Sequence, residues 1–97
     1  MGTKGRPRPA NLSRKLRQIR IGLQLSQAQI VRRLGFEESF HVGRISEFES
    51  NVREPSLLIL LAYARIAGVH LEDIVDDTVD LPARLPGPVI YDRIEQR

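Results

Sequence analysis

The chain has 97 residues, 41% of them apolar and 28% charged, with no cysteine and a formal net charge of +3. That is room for one domain with a modest core, and it excludes a disulfide framework and any cysteine metal site. The longest apolar run, residues 57–64, is far shorter than a membrane span needs and no secretory leader opens the chain, so a cytoplasmic protein with no membrane contact is expected.

Charge is distributed unevenly. Residues 1–36 hold nine basic residues and no acid, whereas the other six basic residues share residues 37–97 with all twelve acids. A polyanion facing the basic half is the expectation, against the blander reading of a solvated basic tail.

Residues 1–10, MGTKGRPRPA, carry glycines and prolines with no apolar pattern and read as a basic disordered arm. Asn11 is a candidate cap for a first helix reaching about Ile21, with Leu12, Leu16 and Ile19 inward, Arg14, Lys15, Arg17 and Arg20 on the wet faces, and Gly22 as terminator. Ser26 and Gln29 form an S-x-x-Q capping box, so a second helix starts at Gln27. It places Ile30, Val31 and Leu34 on one stripe, keeps Arg32 and Arg33 wet, and ends at Gly35.

In the third helix Ile45 and Phe48, with Val42 or Phe40, recur at helical spacing, while Gly43, Arg44, Glu47 and Ser50 fall on other faces. The stretch from Ser26 to Ser50 thus reads as a helix-turn-helix. Asn51 can take the left-handed terminating conformation, and residues 52–55 form a loop because the position before Pro55 avoids helix. Ser56 caps a fourth helix from Leu57 to about Ala67, closed by Gly68. A short fifth helix covers Leu71 to Val75, with Val69, Leu71 and Ile74 inward and Glu72 and Asp73 complementing the dipole of its first turn. The expectation is an all-α, small five-helix orthogonal bundle: an arm at residues 1–10, a domain at residues 11–76, and an acidic, proline-containing tail at residues 77–97.

Residues 12–75 resemble the phage-repressor-like helix-turn-helix family to which lambda repressor and Cro belong. The matching residues are Leu16 and Arg17; Leu25, Ser26 and Gln27; Leu34 and Gly35; Ile45, Ser46, Phe48 and Glu49; Arg53, Pro55 and Ser56; then Leu60, Leu61, Ala64, Gly68, Val69 and Leu71. The resemblance implies a DNA-binding transcriptional regulator. By family analogy Gln27 lies at the groove edge, Val42, Gly43, Arg44 and Glu47 face the bases, and Ser50 and Arg53 reach phosphates. Two departures stand out: residues 36–39 lengthen the turn by about four residues, and the cap usually held by serine or threonine falls on His41 or Ser39.

Arginine pairs with guanine, glutamate accepts from cytosine, and an apolar group meets the thymine methyl, so Arg44, Glu47 and Val42 are groove-reading types. The alternative makes Arg44 and Glu47 a solvated ion pair. The arm's KGRPRP resembles the Gly-Arg-Pro core of AT-hook motifs, which implies that Lys4, Arg6 and Arg8 enter a narrow minor groove.

His41 and His70 are the only histidines, twenty-nine positions apart, and both sit at helix starts, so capping is expected rather than catalysis or metal binding. No cofactor is expected. The fourth helix is apolar nearly all round: Leu58, Ile59 and Ala62 stand where the family carries polar residues. Either a second copy, as in a homodimer, or the tail's Leu81, Leu85, Val89, Ile90 and Tyr91 would cover that face. A competing function is an antitoxin-like or adaptor module that binds a protein partner through the tail. RNA binding through the arm is a third.

Overall fold

A computed structural model describes residues 7–88. Five helices follow one another: α1 (Leu12–Gly22), α2 (Gln27–Leu34), α3 (Gly43–Glu49), α4 (Leu57–Ala67) and α5 (Leu71–Val75). No strand occurs among the described residues, so the chain is all-α. α1 runs through the middle and packs on α3, α4 and α5, while α2 is held between α3 and α4.

The apolar stripes read from the sequence converge on one core. Leu16, Ile19, Ile30, Ile45 and Ile74 have no exposed surface, and Phe48 retains 2%. Each such side chain contributes about 1.5–3 kcal/mol of burial free energy, the main force holding five short helices that would not persist alone. Local signals set the boundaries. Ser26 accepts from the Gln29 backbone while the Gln29 side chain accepts from the Ser26 N–H, and Gly35 closes α2 at φ 84°. Ser56 accepts from Ile59 at the head of α4, Gly68 closes that helix at φ 75°, and Asn51 takes φ 64° after α3.

α1 departs from expectation at both ends. The Asn11 side chain makes no capping hydrogen bond. Instead the Asp77 carboxylate, sixty-six residues away, accepts the backbone N–H groups of Asn11 at 3.0 Å and Ala10 at 2.7 Å. Gly22 does not terminate α1 but lies within it, and the left-handed residue is Gln24 at φ 60°. Gly22 serves a different purpose, since a Cβ there would lie 3.0 Å from the Leu85 side chain.

Two residues assigned to wet faces are also corrected. Lys15 is fully buried and its ammonium donates to the carbonyls of Asp73 at 2.7 Å and Asp76 at 2.8 Å, capping the C-terminal turn of α5. That is the negative end of the helix dipole, and the two carbonyls partly replace the water lost on burial. Arg20 turns inward to α3, where Glu49 holds it at 2.7 Å.

The segment after α5 packs on the helices. Leu81 is a core residue at 5% exposure and Leu85 packs against the core. Gln18 donates to the Pro82 carbonyl, Arg14 meets Asp80 at 3.4 Å, and the Gly87 N–H donates to Ala67. Gly68 permits this approach, because a Cβ there would lie 2.0 Å from the Gly87 carbonyl oxygen. Of the tail residues named from sequence, Val89, Ile90 and Tyr91 lie outside the described residues, as do Lys4 and Arg6 of the arm. On α4, Ile59 belongs to the core, whereas Leu57 and Leu58 are 73% and 69% exposed.

Candidate nucleic-acid interface

The lengthened turn between α2 and α3 is built on aromatic packing. Phe36 accepts backbone hydrogen bonds from Ser39 at 2.8 Å and Phe40 at 3.1 Å, which coil residues 36–40 into one extra turn. The Phe36 and Phe40 rings stack with centroids 5.7 Å apart, and Phe40 meets the buried Phe48 edge to face at 5.9 Å. Phe36 and Phe40, at the two ends of this turn, therefore lean on the core beneath α3 and fix where that helix starts.

At that start His41 Nδ1 accepts the Gly43 N–H at 3.0 Å, taking the place of the missing hydroxyl cap, as the sequence suggested for His41. A Cβ on Gly43 would fall 2.8 Å from the His41 ring, so glycine and histidine at these two positions belong together. His70 lies at the N-cap of α5, where the Asp73 carboxylate accepts its backbone N–H at 3.4 Å.

With Ile45 and Phe48 turned into the core, Gly43, Ser46, Glu47 and Ser50 recur at three- and four-residue spacing on the outward face of α3. Ser46 is the member that the sequence reading did not single out, although its offset from Gly43 and Ser50 would have revealed it. Val42, at 42% exposure, stands just before the helix. The Ser50 hydroxyl donates to the Ser46 carbonyl at 2.8 Å and so stays close to its own backbone.

Arg44 lies on a flank rather than at the centre of this face. Its guanidinium carbon sits 5.9 Å from the Phe40 ring centre, and its Nε is 3.4 Å from Glu47. The same Glu47 oxygen accepts from Arg53 Nε at 2.8 Å. The hydrogen bond from Arg53, with Arg44 adding, holds the Glu47 carboxyl below its ordinary value. Arg44, Glu47 and Arg53 thus form one row with a net positive charge.

The other flank carries a buried pair. Arg20 grips Glu49 through two hydrogen bonds of 2.7 and 3.0 Å and also donates to the Leu25 carbonyl, with the two side chains 12% and 6% exposed. The Gln27 amide donates to the same carboxylate at 3.4 Å, so the first residue of α2 is oriented by α1 and α3 together. Glu49 is therefore an internal partner of Arg20, not an acid facing outward. Beside this pair the Tyr63 hydroxyl is buried without a hydrogen-bond partner, and burial pushes its phenol upward. Arg8, at the root of the arm, donates to the backbone and side-chain oxygens of Asn51 at 3.1 and 3.3 Å, which places Arg8 beside the C-terminal end of α3.

A helix-turn-helix family model matches residues 16–74, well over half of the chain. The chain belongs to the lambda repressor and Cro-like helix-turn-helix family. This is a family of DNA-binding regulators, and at that level the chain is a DNA-binding transcriptional regulator. Comparisons with curated proteins and with solved structures gave no match. Among the described residues no helix is long and apolar enough to cross a membrane, and no cluster of potential metal ligands occurs.

Proposed function

We propose that this member of the family recognises operator DNA as a homodimer, each copy inserting α3 into a major groove, with no cofactor and in the cytoplasm. The observation that supports this most directly is the outward face of α3: Gly43, Ser46, Glu47 and Ser50 point away from the core between Arg53 on one side and Gln27 on the other. Val42, Gly43, Arg44 and Glu47 are assigned to base edges, and Gln27, Ser50 and Arg53 to the phosphates or groove edge. The arm, residues 1–10 with Lys4, Arg6 and Arg8, follows the backbone into the adjacent minor groove from its root at Asn51. Residues 11–76 form the reading domain, and residues 77–97 serve as its docking or dimerisation segment.

Val52, in the turn after α3, and Leu57, the first residue of α4, are 66% and 73% exposed and offer an apolar corner for a two-fold partner. Such a dimer would present two reading helices to half-sites about one helical turn apart. The competing reading is an antitoxin-like or adaptor module that binds a protein partner through the C-terminal tail, residues 77–97.

Selection of bound sites from a random duplex pool tests the reading. A palindromic consensus is expected. Arg44→Ala should cost about 1–3 kcal/mol and relax one base pair per half-site if Arg44 pairs with guanine. Uniform weakening with an unchanged profile would move Arg44 to the phosphates, and a pool that yields no consensus would overturn the proposal.

A further inference from the structure

The outward side of α4 is unusual for a surface helix. Leu58, Leu61, Ala62 and Ile66, with Leu34 at the end of α2 and Phe36 just after it, line an apolar trough. It continues past Arg65 to a second cleft at Gly68, Val69 and Leu71. Arg65 is the charged side chain common to both clefts and pairs with no acid among the described residues. The described chain comes to this place: Gly87 is bonded to Ala67, and its carbonyl lies against Gly68 at the border of the second cleft. The sequence that follows Pro88 is VIYDRIEQR, in which Val89, Ile90, Tyr91 and Ile94 are apolar and Asp92 and Glu95 are acidic.

We propose that residues 89–94 fold back onto α4 of the same chain, seating Val89, Ile90, Tyr91 and Ile94 along the trough with Asp92 toward Arg65. The reach is sufficient. From Ala67 back to Leu58 the helix covers about 14 Å at about 1.5 Å per residue, whereas six extended residues span about 20 Å. Tethering favours the chain's own segment over a second copy, because a short connection holds it at an effective concentration on the order of millimolar. The segment's composition matches the trough in both apolar character and charge, so docking covers leucines that would otherwise face water.

Because the chain has no cysteine, a single nitroxide can be attached through Gln96→Cys without competition. With the label on the nitrogen-labelled 97-residue chain, the amides of Leu61, Arg65 and Ile66 should lose most of their intensity while those of Ser13 and Arg17, which line a separate cleft, keep theirs. In a mixed sample, with spin label and nitrogen label on different copies, the same amides should stay sharp. Adding Ile90→Asp should restore the intensities and leave the shifts of the α1–α3 core unchanged. Sharp trough amides in the labelled chain would overturn the proposal. Broadening that appears in the mixed sample would also overturn it, by assigning the trough to a second copy.

Discussion

Several side chains act at a distance from where their position in the chain would put them, and Asp77 is the clearest. Helix α1 begins with N–H groups that have no partner within the helix, and the Asp77 carboxylate takes two backbone donors ahead of it. These hydrogen bonds, first from Asn11 and then from Ala10, hold the Asp77 carboxyl below its ordinary value of 3.8. A carboxyl depressed by folding stabilises the folded state above its unfolded pKa and loses that contribution as pH falls through the lower, folded one. Asp77→Asn should therefore lower the melting temperature at neutral pH, and the gap to wild type should close as pH drops below 3.8. Thermal unfolding followed by circular dichroism across that range checks it. A gap independent of pH would mean that shape, not charge, carries the cap.

Helices α1, α2 and α3 are locked to one another through Arg20, Glu49 and Gln27, and this lock sets the angle at which the outward face of α3 is held. Glu49→Ala should cost about 3–5 kcal/mol, since it strands the Arg20 guanidinium in a largely dry site. Replacing both partners by Arg20→Met with Glu49→Leu should recover much of that loss, yet it frees the Gln27 amide. Urea unfolding of the single and double variants separates charge stranding from simple loss of packing, and equal losses in both would refute the charge argument. Much of this architecture was legible in the sequence because it is local. Ser26 with Gln29, Gly35, Ser56 and Gly68 each act within one turn of themselves, and the 3.6-residue stripes point to the core. What was not legible is long-range: Lys15 with the end of α5, Arg20 with Glu49, and Asp77 with the head of α1 join residues twenty-nine to sixty-seven apart. A buried charge has the same local signature as a solvated one. The outward face of α3 was legible only in part, because its placement depends on how residues 36–40 coil, and that follows from Phe36 stacking on Phe40 and Phe40 packing on Phe48 rather than from spacing.

For the whole molecule, these pairings change what its charge can do. Nine basic residues precede the first acid in the sequence, but Lys15 is sealed in the core and Arg20 is neutralised by Glu49. The other seven basic residues of that half are Lys4, Arg6, Arg8, Arg14, Arg17, Arg32 and Arg33, of which Arg14 meets Asp80 at the surface. If roughly five of them meet phosphates, the slope of log affinity against log salt should be about −4 to −5, a loss of several hundredfold between about 50 and 200 mM. Removing residues 1–9 should make that slope shallower by up to about 3, since three cations go with the arm, while the helical core stays folded. The loss should be larger on A·T-rich flanks, where the minor groove is narrow and more negative, than on G·C-rich ones. Binding titrations of the full and shortened chains over that salt range supply both numbers. An unchanged slope would place the arm off the phosphates, and equal losses on the two flanks would reduce it to a diffuse cation that reads no groove.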